Sequence, residues 1–563
     1  MSPRERNQFG WWAVSYEEKY GGSAAVLCPP RYPGALSSLC KISLKNDRPC
    51  IYCRSGAYDP RTLPLGAVLV SLGERSPRSF FSRIGGVIDG LELTWPTSRE
   101  AAFEQLIHAA SPPERFVNRE GYVPPEPPTV EEVLKTWVMP HLEGNSHKLD
   151  GIATGFMTLL RAGTPGWPRA DNMDHEASHR MDAPGDLLAS CVGSALHKSW
   201  GMVADATRSP IEKNSPVGFS EEECCRRAIR TALSHGASAI RDASKAIVKA
   251  FSIQAWPGVD GQPLDGVSER VERISAASII STMRRTVSGL SEAGRYKRDP
   301  RLPQPSAYGL KCPVETPDDE KIGLVLSLGA TARTSSDCPD LMEWLPMPDC
   351  LFSDNAKWVV VVDGLRIGKV EDSSEYRRCF RDAQLRRFSE FGGNSWSEAA
   401  FGVACVTCFT RSGECSGECG VACMGLCPGS QSVGEIRIRS DSSRLVRPLL
   451  VGPAVATGVR WGGPDGLPES LFELYRRGIV EYVDAGLVDD RSMWIADVES
   501  KLSRNPSHLE FHPVLHMGVL AGSIPYAHHN QVLKISTPFI LCETFLNKLP
   551  HRVTATTSPA QLR

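Results

Sequence analysis

SAYGLKCPVETPDDEKIGLVLSLG, residues 306 to 329, sets Gly309, Cys312-Pro313, Glu315-Thr316-Pro317-Asp318 and Gly323-Leu324 ahead of an apolar helix or strand. Its adjacent carboxylates, Asp318 and Asp319, point to different faces of an extended segment, so they read as a solvated turn. Asp489-Asp490 reads the same way. No Asp-x-Asp-x-Asp cluster occurs anywhere in the chain. Clamping the attacking and leaving oxygens of a phosphoryl transfer takes metal-bound carboxylates, and the list of catalytic residues read from this sequence is empty.

Outward from that stretch, the local signals alternate between helix and strand. Upstream, Gly66–Leu72 (GAVLVSL) reads as a buried strand or short helix. Six prolines between residues 111 and 128 mark a linker or surface loop. Thr129 and Glu132 form a capping box for a helix with Val130, Val133, Leu134, Trp137 and Val138 at helical spacing, ended by Pro140. Residues 164 to 186 are polar with little periodicity. Ser220 and Glu223 open a long helix to about Ser252, with Ala228, Ile229, Ala232, Leu233, Ile240, Ala243, Ile247 and Phe251 expected to face a core. A further helix is expected over 268–285, ending in Met283-Arg284-Arg285. Downstream, Asp363-Gly364 between Val359–Val362 and Leu365–Ile367 specifies a type I′ hairpin, because both central residues need φ > 0. A helix carrying Tyr376, Phe380, Ala383 and Phe388 follows. Glu435–Arg439 (EIRIR) alternates as a half-buried strand, and 471–483 reads as a helix running into a strand.

At 563 residues and 41% hydrophobic content, the chain can fill several cores, so three or four domains are expected. The 49 glycines and 42 prolines favour a loop-rich, mixed α/β (α+β) multidomain fold with many short elements. A net charge of −2 excludes a global polyanion-binding field, so nucleic-acid contact must come from local basic segments. No apolar run reaches membrane-spanning length and no signal peptide opens the chain, so a secreted or membrane location is not expected. Of the 18 cysteines, twelve are scattered from Cys28 to Cys542 and, without a secretion signal, read as reduced thiols, many of them buried.

The other six, Cys405, Cys408, Cys415, Cys419, Cys423 and Cys427, crowd into one segment. A Cys-x₂-Cys followed by another close pair suits a thiolate zinc site, with Cys405, Cys408, Cys415 and Cys419 as the candidate ligands. The Gly/Ser/Glu-rich context equally suits a reduced low-complexity loop. Cys50-x₂-Cys53 lacks a second pair. Asp174-His175 reads as a hydrogen-bonding pair, His512-Pro513 as structural, and His528–Gln531 as a positioning loop.

The 306–329 stretch resembles the signature of second-largest, β-type subunits of multisubunit DNA-directed RNA polymerases. The resemblance continues in order. DNMDHEASHRMDAPGDLLAS (171–190) is similar to the family's Asp-His…Lys-Arg-x-Asp…Gly-x-Leu-Leu block, with His179 in place of the Lys. ISAASIISTMRRTVS (274–288) is similar to its Ser-x-x-Ser…Arg-Arg helix, and GEIRIRSDSSRLVRPLL (434–450) to a Glu-Ile-Arg-Ile…Arg-Pro-Leu strand pair. RRGIVEYVDAGLVDD (476–490) and LEFHPVLHMGVLAGSIPYAHHNQ (509–531) complete six blocks. The family-motif residues are Cys312, Pro313, Glu315, Thr316, Pro317, His529, Asn530 and Gln531. Glu-Thr-Pro-Asp and His-Asn-Gln point to the eukaryotic, archaeal or large-DNA-virus branch.

The resemblance implies lobe, protrusion, fork and external domains: a lobe-like domain over 1–128, protrusion remainder and fork over 129–300, and their junction with the external region over 301–345. An external-1-like domain with the cysteine-rich insertion covers 346–470, an external-2-like domain 471–531, and an unmatched tail 532–563. The regions that bind the hybrid and form the clamp are expected to be missing after Gln531. The resemblance also implies magnesium held mainly by the largest subunit. The implied partners are that subunit, small assembly subunits, and the DNA template and RNA. The implied location is the nucleus or, for a virus, cytoplasm or virion. Arg284, Arg285, Arg295, Lys297, Arg298 and Arg301 flank the implied fork loop and are the candidate phosphate contacts. The competing reading is a non-catalytic relic or zinc-bearing interaction module.

Overall fold

The computed structural model describes residues 4–7, 11–17, 21–28, 38–45, 48–54, 61–84, 94–110, 129–161, 171–172, 174–214, 221–252, 256–257, 263–264, 271, 273–287, 301, 304–317, 322–336, 338, 341–346, 358–390, 405–410, 434–452, 471–486, 495–497 and 506–524. After β1 (Arg4–Asn7), strands β2 (Trp12–Glu17), β3 (Gly21–Cys28), β4 (Ser38–Lys45), β5 (Arg48–Arg54) and β6 (Arg61–Pro64) form an antiparallel meander in chain order. GAVLVSL is a helix, α1 (Leu65–Leu72), buried along nearly its whole length. It is followed by α2 (Pro77–Ile84) and α3 (Arg99–Ala110). The Thr129–Glu132 capping box is present with both reciprocal bonds. Its helix, α4 (Val130–Thr136), ends short of Pro140. With α5 (Asn145–Arg161), it places Val133, Trp137, Ile152 and Phe156 in one core with Trp12, Ile42, Leu63 and Phe80, so this core spans the boundary expected at 128/129.

Beyond β7 (His179–Asp182), α6 (Pro184–Asn214) and α7 (Glu221–Ser252) pack as a helical hairpin. The sequence reading carries no helix over α6. Pro184 sits in its first turn, where a missing N–H costs nothing, and Asp186 accepts from the N–H of Ala183. The stripe on α7 requires a correction. Ile229, Leu233 and Ile240 are 59%, 71% and 67% exposed, and Phe251 is 47% exposed. Ala243 of the stripe is buried and Ile247 packs against the core as expected, and the hairpin also buries Ala239 and Ala250 on this helix and Leu187 and Cys191 on α6. Ser199 Oγ donates to the carbonyl of Ala239, so the helices approach through small residues and the large ones face outward.

Strands β8 (Trp256–Pro257) and β9 (Pro263–Leu264) pair with each other. The helix expected over 268–285 is shorter: α8 runs Ala276–Met283, capped by the Ser275 hydroxyl, and Arg285 already lies in β10 (Arg285–Val287). With β11 (Val325–Ser327), these strands build a sheet of order β11-β10-β1-β7. After β12 (Arg333–Thr334) and α9 (Leu341–Trp344), the hairpin β13 (Trp358–Val362) and β14 (Leu365–Val370) forms as read, with φ +45° at Asp363 and +86° at Gly364. Helix α10 (Ser373–Glu390) buries Tyr376 and Phe380 against it.

Strands β15 (Cys405–Thr410) and β16 (Gly434–Arg439) complete a sheet of order β14-β13-β16-β15. The last sheet takes β12, β17 (Leu445–Val451), β18 (Val480–Asp484), β19 (Ile495–Asp497) and β20 (His508–Glu510). Helix α11 (Leu471–Arg476) leads into β18, and α12 (Val519–Ser523) follows β20. Among the described residues, no helix is long and apolar enough to cross a membrane.

Candidate functional site

The six blocks that carry the resemblance, spread over 171–531, meet in one region. Backbone pairing does part of this. Strand β7 pairs with β1, β1 with β10 and β10 with β11, which joins the first three blocks in one sheet. The N–H of Met181 donates to the carbonyl of Ser443 at 2.7 Å, and that of Ala330 to the carbonyls of Leu515 and Met517 at 3.0 and 2.8 Å. Strand β17 pairs with both β18 and β20.

Buried charges do the rest. Lys311 Nζ lies 2.6 Å from Glu176 Oε1, with both side chains almost fully buried. The guanidinium of Arg180, 1% exposed, holds Asp441 with Nε and Nη2. Arg444 and Arg439 reach Asp484 from two sides at 3.4 and 3.7 Å. Burial alone raises the Asp484 carboxyl, but Arg439, Arg444, the Gly486 N–H and Arg180 together outweigh it and hold the group below its ordinary range. Arg447 Nη1 donates to both oxygens of Glu510, at 2.6 and 2.7 Å. Every one of these ion pairs joins residues from different blocks. A charge taken out of water is tolerated only when it is paired and hydrogen-bonded, so the arrangement fixes how the blocks lie against one another.

The motif stretch itself is held by short-range contacts. Cys312 is buried, and burial raises its thiol even though the N–H groups of Gly518, Val314 and Glu315 point at the sulfur. It is a hydrogen-bonded core thiol. Glu315 Oε1 accepts from Ser281 Oγ, tying the motif to α8. Thr316 Oγ1 donates to the carbonyl of Val325 and accepts from the N–H of Gly323, which closes the turn before β11. Pro313 and Pro317 flank these contacts, half-buried. Gly309, at φ +74°, lets the Arg447 guanidinium lie against the backbone: a Cβ there would sit 2.5 Å from Cζ. That guanidinium also covers the ring of Tyr308, which stacks on His516.

The basic candidates divide. Arg284 Nη2 donates to the carbonyls of Gly329, Ala330 and Ala332, so its guanidinium serves the chain's own backbone, and burial lowers its pKa. Arg301 Nη1 donates to the carbonyl of Ile322 at 2.8 Å. Arg285 is half-buried on β10. Arg295, Lys297 and Arg298 lie outside the described residues, as do His528, His529, Asn530, Gln531 and the paired Asp318-Asp319 and Asp489-Asp490.

The cysteine cluster is placed at its start alone. Cys405 is buried, its thiol donates to the carbonyl of Tyr482 at 3.6 Å, and burial pushes it up to about 12. Cys405 and Cys408 lie on a strand in continuous register with β16, not in the tight turn that a Cys-x₂-Cys chelate needs. Cys415, Cys419, Cys423 and Cys427 lie outside the described residues. Among the described residues, no group of three or more His, Cys, Asp and Glu is arranged to hold a metal ion. Two histidines of the motif blocks act as caps: His175 Nδ1 accepts from the N–H of Ala177 and His512 Nδ1 from that of Val514. Glu176, Lys311, Asp484 and Glu510 carry the junction, and sequence reading did not single them out. Buried partners 135 residues apart, as Lys311 and Glu176 are, have no local pattern.

Comparison with known proteins falls on the same region. Residues 269–334 match the family RNA polymerase Rpb2, domain 3, a span that takes in α8, β10, the Cys312–Pro317 motif, β11 and β12. The chain is related to second-largest RNA polymerase subunits. It is 24% identical over 382 residues to DNA-directed RNA polymerase subunit Rpo2 of Saccharolobus shibatae, covering 64% of this chain and 29% of that subunit. It is 24% identical over 504 residues to DNA-directed RNA polymerase III subunit RPC2 of Schizosaccharomyces pombe, covering 83% of this chain and 39% of the relative. The polymerase II subunit RPB2 of Encephalitozoon cuniculi is 26% identical over 398 residues, covering 64% and 29%. The chain thus spans about a third of the length of the curated relatives it matches.

Proposed function

We propose that this chain is a framework subunit of a DNA-directed RNA polymerase, acting in DNA-templated RNA synthesis by holding the melted DNA and its partner subunits. The observation that carries the reading is the coincidence of two independent results. The blocks that resemble the second-largest subunit are the ones that the buried pairs Lys311–Glu176, Arg180–Asp441, Arg444–Asp484 and Arg447–Glu510 draw together. A relic free of selection on its assembly has no need to keep four buried ion pairs between distant segments, because an unpartnered member of any of them is costly.

In this reading the chain contributes no catalytic carboxylates, and the magnesium that activates the growing RNA end is held mainly by the largest subunit. The lobe, protrusion, fork and external assignments are those the resemblance implies, with the first unit extended past residue 128 by the core that joins Trp12 to Phe156. Phosphate contact falls to Arg285, Arg295, Lys297, Arg298 and Arg301, while the Arg284 guanidinium serves the chain's own backbone. Location follows the polymerase. The test is purification of the tagged full chain from its own cells at moderate salt. Stoichiometric recovery of the largest RNA polymerase subunit is the expected result, and recovery of the chain without any polymerase subunit overturns the proposal.

A further inference from the structure

Outside the junction, the sheet β2–β6 contains a thiol group that the polymerase reading does not use. Cys28, Cys40 and Cys53 lie on the adjacent strands β3, β4 and β5, each fully buried. Cys40 and Cys53 are direct register partners, and their sulfurs are 3.9 Å apart. Cys28 is opposite Ser38, one diagonal step from Cys40.

The register shows which kind of pair this is. An antiparallel ladder alternates hydrogen-bonded pairs, which exchange both N–H bonds, with non-hydrogen-bonded pairs whose side chains stand closer. Leu44 faces Pro49, and a proline has no N–H to exchange, so that pair is of the non-hydrogen-bonded kind. Cys40 is four residues before Leu44 and Cys53 four after Pro49, so the cysteine pair has the same parity. Such pairs hold their Cα atoms about 4.5 Å apart, inside the roughly 4.4–6.8 Å window that a disulfide bridges. A χ1 adjustment at the two cysteines then brings the sulfurs together without moving either strand.

We propose that Cys40 and Cys53 are an oxidative modification site, a dithiol that closes to a cross-strand disulfide on exposure to peroxide. One sulfur, as the thiolate, attacks the O–O bond, becoming a sulfenic acid and releasing hydroxide, which leaves as water with the thiol's proton. The second sulfur attacks the sulfenic sulfur, forms the S–S bond and releases a second water. The two sulfurs lose two electrons in all, and the peroxide takes them up. The hydrogen bond with Cys40, and then burial, raises the Cys53 thiol, and both sulfurs lie in the core, so the reaction runs through brief openings of the sheet and is slow. Once closed, the bond staples β4 to β5 at the centre of the core that also takes α4 and α5.

The test treats the reduced full chain with hydrogen peroxide, blocks remaining thiols with N-ethylmaleimide in urea, and maps non-reduced tryptic peptides by tandem mass spectrometry, whose fragment ions separate Cys50 from Cys53 within the shared peptide 46–54. The exposed Cys225 reports that the peroxide dose is effective. The expected result is a Cys40–Cys53 peptide roughly tenfold above any other Cys40-linked species, as the geometry favours. It should disappear with dithiothreitol, be absent from Cys40→Ala and persist in Cys28→Ala. Recovery of Cys40 and Cys53 as maleimide adducts while Cys225 is oxidised would overturn the proposal. So would Cys40 joined as often to Cys28 or Cys50 as to Cys53.

Discussion

Lys311 and Glu176, 2.6 Å apart and each almost fully removed from water, bind the Cys-Pro-x-Glu-Thr-Pro block to the Asp-His block. Replacing Lys311 by Met strands a carboxylate in the core. The expected loss of stability is about 3–5 kcal/mol, as for other buried pairs broken on one side. The double variant Lys311→Met, Glu176→Leu should recover most of it. Urea unfolding of the three proteins measures this, and equal losses in single and double variants would show that the pair is not buried as described.

Gly309 has a similar role for the Arg447–Glu510 pair. An alanine there must adopt φ near +74° and place a methyl group 2.5 Å from the Arg447 guanidinium. Strain of about 1–3 kcal/mol is expected from the backbone alone, with further loss from the displaced ion pair. Gly309→Ala should therefore destabilise more than Gly185→Ala, whose added methyl meets nothing within 4 Å. Thermal unfolding of the two variants makes the comparison, and equal melting temperatures would count against the close approach.

Histidine protonation gives the chain an acid limit. Burial, with Arg447 nearby, lowers His516 to about 4, and burial, with Lys148 nearby, does the same at His141. Both are neutral when folded and have ordinary values near 6.5 when unfolded. Above pH 6.5 neither state takes the proton and stability is unaffected. Between about 6.5 and 4 the unfolded chain binds more protons, so stability falls with pH, and below 4 this contribution is constant. The groups facing His516 are Tyr308 and Arg447. His516→Phe is expected to flatten the slope of unfolding free energy between pH 6.5 and 4, and an unchanged slope would contradict the assignment.

The outward stripe of α7 is checked by polar substitution. Ile229→Gln, Leu233→Lys and Ile240→Gln alter side chains that are more than half exposed. Each is expected to change the stability of the isolated chain by no more than about 0.5 kcal/mol. Losses of the 2–5 kcal/mol typical of core truncation would show that the helix is turned the other way.

That helix also shows what could be read in the sequence and what could not. Signals complete within a few residues were legible: the Thr129–Glu132 capping box, the Asp363-Gly364 turn, the alternation at Glu435–Arg439. Helical periodicity in α7 was legible too, yet only Ala243 and Ile247 of the stripe meet the core, while Ile229, Leu233, Ile240 and Phe251 face outward. Period identifies a face but not what covers it, and here Ala239, Ala243 and Ala250 allow closer helix contact than Ile or Leu would. The Cys-x₂-Cys of 405–408 suggested a chelate because spacing is blind to backbone conformation, and pairing with β16 extends that backbone. Arg284 was chosen for its charge, while its hydrogen-bond partners are carbonyls 45 to 48 residues away. Glu176, Asp484 and Glu510 sit in unremarkable local sequence and gain their role from residues far along the chain.

The most direct measurement is promoter-independent RNA synthesis by the polymerase fraction from the source cells, before and after immunodepletion of this chain. If the chain is framework for the melted template, the largest subunit leaves the extract with it and RNA synthesis falls in proportion. Full synthesis by an extract from which the chain has been removed would contradict a role in the polymerase.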